Sequence, residues 1–142
     1  MDLLSAVVEL FGSGLMGETI KAATGKAPAG WKRLTVLLND TTTRKKDLSA
    51  EVFARGLFAI HRPMWGTSCY IGSQWQVSHI PSGCRIGDPH ETKAAAIKMI
   101  ARIRGLAKWR TCDISPDGKS PPKGMTMPQA QRIKRLIYKS PP

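Results

Sequence analysis

The sequence predicts an α+β fold in which a small antiparallel sheet packs on a basic amphipathic helix. In the middle of the chain, short runs with alternating polarity are bounded by glycines and by a turn signal at residues 81–83, which is typical of strands joined by tight turns. After residue 88 the apolar residues recur at helical spacing. Residues 60–142 show no alternation of strands and helices, and this favours α+β over a parallel α/β sheet.

Size and composition are those of one ordinary domain. The chain has 142 residues, of which 42% are hydrophobic, enough to bury a core without disulfides or metals. We expect a single α+β domain over residues 1–114, a Pro/Gly-rich linker over 115–124 and a basic helical tail over 125–142. Three cysteines without a CxxC pair indicate a reducing compartment, so the expected location is the cytoplasm.

The N-terminal region predicts two helices. Apolar residues between positions 3 and 11 follow helical spacing, and residues 18–24 form a second, shorter candidate after a glycine-rich stretch. The first segment carries Asp2 and Glu9 and is too short to span a bilayer, so we predict no membrane span. Its apolar face has two further interpretations, a seam between two copies of the chain or a helix lying on a membrane surface.

The remaining elements follow from local patterns. Residues 33–38 predict a strand, and residues 48–57 predict a helix with Ser49 as its N-cap. The antiparallel sheet is expected over residues 57–86, in strands at 57–62, 68–71, 75–80 and 84–86.

Two helices are predicted in the C-terminal half. The first predicted helix has Asp88 as its N-cap, Pro89 at its first position and Glu91 at its third. It continues to Leu106 or Trp109. Its apolar stripe leaves Lys98 and Arg102 on the opposite side. A last short helix begins after Thr126, with its basic side chains facing outward.

Positive charge is concentrated in the second half of the chain. Residues 1–60 carry eight Lys/Arg and six Asp/Glu, whereas residues 61–142 carry fourteen and four, so the net charge rises from +2 to +10. No acidic residue follows Asp117. Such an excess repels itself within a compact fold unless a polyanion offsets it. Nucleic acid is the usual polyanion, because cations at phosphates release condensed counterions.

We therefore predict a non-enzymatic protein that binds DNA or RNA mainly through phosphates. The expected contacts are Lys98, Arg102, Arg104, Lys108, Arg110, Arg132, Lys134, Arg135 and Lys139. Stacking on bases is expected from Trp65, Tyr70, Trp75 and Trp109 if they are exposed. The alternative is a small basic interaction or inhibitor module that docks on an acidic protein surface or on the nucleic-acid site of a larger complex.

Strands followed by a basic helix over residues 75–86 and 91–103 resemble the later part of a double-stranded-RNA-binding domain, with Thr92 and Lys93 near the helix start. That family sets a basic helix N-terminus across phosphates. The resemblance covers less than a third of the chain. It lacks a lysine pair at the helix start and has Pro81 where a longer strand is expected, so it implies no membership.

Three other chemistries have partial signals. Residues 12–17 match GxGxxG, and Asp40 follows at the distance of a ribose carboxylate, but the apolar run before them has helical spacing. His61, His79 and His90 are candidates for acid–base cleavage of RNA, with Lys93 or Arg85 on the phosphate. The cysteines lack the paired spacing of a zinc site. We expect no cofactor and no metal.

Overall fold

The computed structural model describes residues 19–40, 43, 45–65, 68–69, 73–112 and 123–138. These residues form an α+β structure, as the sequence predicts, with a mixed five-stranded sheet and two helices. The predicted helix at residues 2–11, the GxGxxG segment, Tyr70 and Lys139 lie outside the described residues.

A central strand organises the sheet. The strands are β1 (Ile20–Lys21), β2 (Lys32–Leu38), β3 (Leu48–Arg55), β4 (Phe58–His61), β5 (Met64–Trp65), β6 (Ser68–Cys69) and β7 (Gln76–His79), and the helices are α1 (Lys93–Ile103) and α2 (Met127–Ile137). β3 pairs along one edge with antiparallel β2, from Leu38 opposite Leu48 to Lys32 opposite Ala54. Its other edge pairs with antiparallel β4 and parallel β1, and β7 extends the sheet beyond β4. β5 and β6 form a separate hairpin.

Two predicted helices are strands, and the sheet begins at residue 20 rather than 57. The prediction of a helix over residues 48–57 was wrong, because that segment is β3, which is buried on both faces along most of its length. Burial on both faces removes the alternation that marks a strand. The helix predicted over residues 18–24 was also wrong within its described part, where Ile20 pairs in parallel with Ala50.

The N-cap of α1 is four residues later than predicted. Thr92 caps the helix, its hydroxyl oxygen accepting from the Ala95 amide at 3.0 Å. Asp88 does not cap it, because His90 pairs in strand fashion with Trp75 through two backbone hydrogen bonds of 2.6 and 2.7 Å. That pairing holds residues 88–91 outside the helix.

The last helix begins as predicted. The Thr126 hydroxyl accepts from the Gln129 amide, and the Gln129 side chain accepts from the Thr126 amide, which completes a capping box. The predicted strand at residues 84–86 is a short return along β7, with one bridge between Ser78 and Arg85.

Both helices pack on one face of the sheet through a single hydrophobic cluster. α2 contributes Ile133 and Ile137, which lie in the same cluster as Phe53 of β3 and Ile103 of α1. Burying each isoleucine contributes roughly 1.5–3 kcal/mol. A second cluster, which includes Val52, is built from β-strand residues and small alanines. The burial of Ile133 and Ile137 fixes which side of α2 faces the solvent.

Candidate nucleic-acid interface

The outer side of α1 and the turns after it carry five exposed cations. Lys98 and Arg102 are exposed because Ala96, Ile100 and Ile103 take the inner side of the helix. The exposed cations after the helix are Arg104, Lys108 and Arg110.

Trp109 anchors the segment that presents the last two of these cations. Its indole N–H donates to the carbonyl of Ile103 at 2.9 Å, and its ring lies edge-on to Phe58 with 5.2 Å between centroids. Because Trp109 is buried, its neighbours Lys108 and Arg110 project outward on either side of it.

α2 presents a second exposed basic side. Ile133 and Ile137 are buried, while Arg132, Lys134 and Arg135 are exposed between and beside them. Lys139, the remaining predicted contact, lies outside the described residues.

These eight cations are not engaged within the part of the chain that the structure describes. None of their charged side-chain groups makes a hydrogen bond or an ion pair with another described residue. The one ion pair between described residues joins Arg33 to Glu51 at 3.0 Å, on β2 and β3. The charge on the helices is therefore balanced by no described carboxylate, and it faces solvent.

A second group of cations surrounds two stacked rings, and only Lys93 among them was a candidate from the sequence. Phe53 and Trp75 lie 5.9 Å apart between centroids with planes 29° from parallel. The Arg62 guanidinium is 4.0 Å from the Trp75 centroid, and the Arg33 guanidinium is 4.9 Å from that of Phe53. The Lys93 ammonium lies 5.2 Å from Trp75 and 5.6 Å from Phe53. We call Arg33, Arg62 and Lys93 the ring cations.

Main-chain and hydroxyl oxygens of residues 23–26 hold the ring cations in place. Arg33 donates to two carbonyls of this loop, Arg62 Nε donates to the Thr24 hydroxyl at 2.9 Å, and Lys93 Nζ donates to the Lys26 carbonyl at 3.0 Å. Arg62 Nη1 also donates to a carbonyl, at 3.1 Å. These oxygens solvate the cations without neutralising them.

The ring cations repel one another. Arg62 and Lys93 lie over the same ring and are at most about 9 Å apart, a distance at which two unit charges repel by roughly 0.5–2 kcal/mol for effective dielectric constants between 80 and 20. Glu51 is the one described carboxylate that pairs with the group, through Arg33.

His61 and His79 are buried, and internal hydrogen bonds hold their imidazole rings. His61 Nδ1 lies 2.7 Å from the Arg62 carbonyl and Nε2 lies 2.8 Å from the Ser78 hydroxyl. Because the carbonyl can only accept, Nδ1 carries the proton and Nε2 accepts from Ser78. Burial lowers the pKa of His61 to about 4, against a smaller opposing effect of the Arg62 carbonyl. His79 bonds to Ser82 and to the Trp109 carbonyl, at 2.7 and 2.6 Å.

Two of the predicted stacking platforms are buried. Trp75 and Trp109, both predicted as candidates, are 4% exposed and belong to the core. Their faces are covered by protein groups, so no base can reach them.

Cys84 and Cys112 are buried, and the described residues contain no group of three or more His, Cys, Asp or Glu placed to hold a metal ion. No helix within the described ranges is long and apolar enough to cross a membrane.

A scan against protein-family models, a search of curated proteins and a search of solved structures found no match to this chain. The partial resemblance to a double-stranded-RNA-binding domain gains no support from these comparisons. The functional argument therefore rests on the site itself.

Proposed function

We propose that this protein is a non-enzymatic nucleic-acid-binding protein whose contacts are mainly with the phosphate backbone. The observation that carries the proposal is the set of eight exposed cations on and after α1 and on α2, without a carboxylate partner among the described residues. A phosphodiester backbone supplies regularly spaced negative charges to such a surface, and the released counterions drive binding.

The burial of Trp75 and Trp109 supports backbone contact over base recognition. Single-strand binding proteins combine a basic groove with exposed aromatic rings. Trp75 and Trp109 are buried, so cations dominate the described part of the proposed interface. Contacts of this kind position a protein without reading sequence.

The test is fluorescence anisotropy of the whole protein against labelled single- and double-stranded DNA and RNA, titrated across salt. We expect binding that weakens steeply as salt increases, with a slope of about 0.9 per neutralised phosphate on duplex DNA. No binding to any of the four probes at low salt would remove the proposal. Capture of one acidic protein in a fixed stoichiometry would then favour the alternative, an interaction module.

A matched pair of variants locates the interface. Changing Arg132, Lys134 and Arg135 together to glutamine should weaken binding roughly tenfold or more and reduce the salt slope by about 2 to 3. The control changes three exposed lysines on the sheet side, again to glutamine. They are Lys21, Lys32 and Lys45. Both variants lose three charges, so an equal effect of the two would show a general charge effect and no contact at α2.

A further inference from the structure

We propose that the ring cations Arg33, Arg62 and Lys93 form a binding site for a phosphate group. The site lies at the start of α1 and beside the loop of residues 23–26, and none of its three cations is among the eight that carry the proposed function. The proposal does not depend on that function, because the same chemistry would take the phosphodiester of a nucleic acid or the phosphate of a small molecule.

The uncompensated positive charge of the ring cations favours an anion at this site. Three cations from distant parts of the chain are gathered over two stacked rings, and Glu51 is the one described carboxylate paired with any of them. A phosphate oxyanion placed among them would remove repulsion that the loop oxygens leave in place. The backbone of Lys26 lies at the site, where its carbonyl holds Lys93, and its exposed side chain adds a fourth positive charge to this loop.

The side chains of Arg62 and Lys93 are already fixed in position, and each still has N–H groups without a described acceptor. Arg62 bonds to described residues through Nε and Nη1, and no such bond involves Nη2. Lys93 has one hydrogen bond from an ammonium group that can donate three. Both residues are half-buried, so each side chain reaches solvent while its charged group is held over the rings. Charge-assisted hydrogen bonds from such ordered cations are the strong ones in oxyanion recognition.

The competing interpretation is that these side chains only clamp the loop. A clamp needs hydrogen bonds and packing, whereas a phosphate site also needs net positive charge. Lys26→Gln separates the two, because it removes a charge at the edge of the site and keeps the Lys26 carbonyl that holds Lys93. Lys93→Met removes the central charge and keeps an unbranched chain over Phe53 and Trp75.

The experiment titrates the whole protein with inorganic phosphate and monitors the amide chemical shifts by NMR. A second titration with sodium chloride at equal ionic strength is the reference. We expect phosphate-specific shifts in residues 23–26 and at the start of α1. Lys93→Met should weaken phosphate binding at least fivefold and Lys26→Gln about twofold. Lys45→Met makes the same change at an exposed lysine that belongs neither to the ring cations nor to the proposed nucleic-acid contacts, and it should change the affinity less than 1.5-fold.

Three results would overturn the proposal. The first is an amide shift no larger with phosphate than with chloride. The second is an equal loss of phosphate affinity in Lys93→Met and Lys45→Met. The third applies if Lys93→Met does not fold, and it is full retention of phosphate binding in Lys26→Gln. A short oligonucleotide and a phosphate monoester, titrated separately, tell the two sources of the phosphate apart. If phosphate binding fails while the protein still binds nucleic acid in the anisotropy titrations, only the phosphate site is ruled out. If phosphate binds at the ring cations and nucleic acid does not bind, only the proposed function is ruled out.

Discussion

Replacing Gly87 with alanine is expected to lower the free energy of unfolding by about 3–4 kcal/mol and to loosen the C-terminal end of α2. Gly87 has φ of 68°, a conformation that costs a non-glycine residue roughly 1–2 kcal/mol. A Cβ atom there would lie 2.8 Å from Cβ of Ile137 and 2.9 Å from its carbonyl oxygen. Overpacking of this kind typically adds about 1–3 kcal/mol. Chemical denaturation measures the loss, and hydrogen exchange of the α2 amides measures the loosening.

Gly56→Ala is the matched control for this prediction. Gly56 has φ of 60°, and an added Cβ meets nothing within 4 Å, so alanine there should cost only the conformational part, about 1–2 kcal/mol. The difference between the two variants isolates the contact between Gly87 and α2. Equal losses, with unchanged exchange of the α2 amides, would mean that Ile137 does not pack against Gly87.

The second large effect is a loss of stability in mild acid caused by His61. Burial lowers the pKa of His61 in the folded protein from 6.5 to about 4. Above pH 6.5 the imidazole is neutral in both states. As the pH falls from 6.5 towards 4, His61 becomes protonated in the unfolded chain but stays neutral in the folded protein. The free energy of unfolding therefore drops by about 3 kcal/mol in total.

His61→Gln supplies the comparison. Glutamine does not titrate, so the variant should lose less stability than the native chain between pH 6.5 and 4, whatever its stability at pH 7. The carboxylates and the other histidines are common to both proteins and cancel in the difference. The measurement is chemical denaturation at a series of pH values. Parallel pH profiles for the two proteins would contradict the prediction.

The two C-terminal helices were the most predictable part of the fold, because their determinants lie within a few residues of each other. Thr126 and Gln129 form a capping box from side chains three positions apart, and the buried residues of α1 recur every three or four positions. The same periodicity places Lys98 and Arg102 on the exposed side. That these cations are exposed could therefore be read from the sequence, whereas their role as a binding surface stays a proposal.

The errors occurred where distant pairing overrides a local pattern. β3 has the apolar spacing of a helix, but β2, β1 and β4 satisfy its backbone hydrogen bonds, and the two hydrophobic clusters cover its two faces. Asp88 has the local signature of an N-cap, but the pairing of His90 with Trp75 moves the start of α1 to Lys93. Neither partner is visible in a short window of sequence.

Local sequence alone determined α2, the helical periodicity of α1, the exposed cations of both helices and the excess of positive charge, because these depend on near neighbours and on composition. Only the tertiary structure decided the strand identity of residues 48–55 and the burial of Trp75 and Trp109. It also brought together Arg33, Arg62 and Lys93. These outcomes depend on which residues, far apart in the chain, the sheet places side by side.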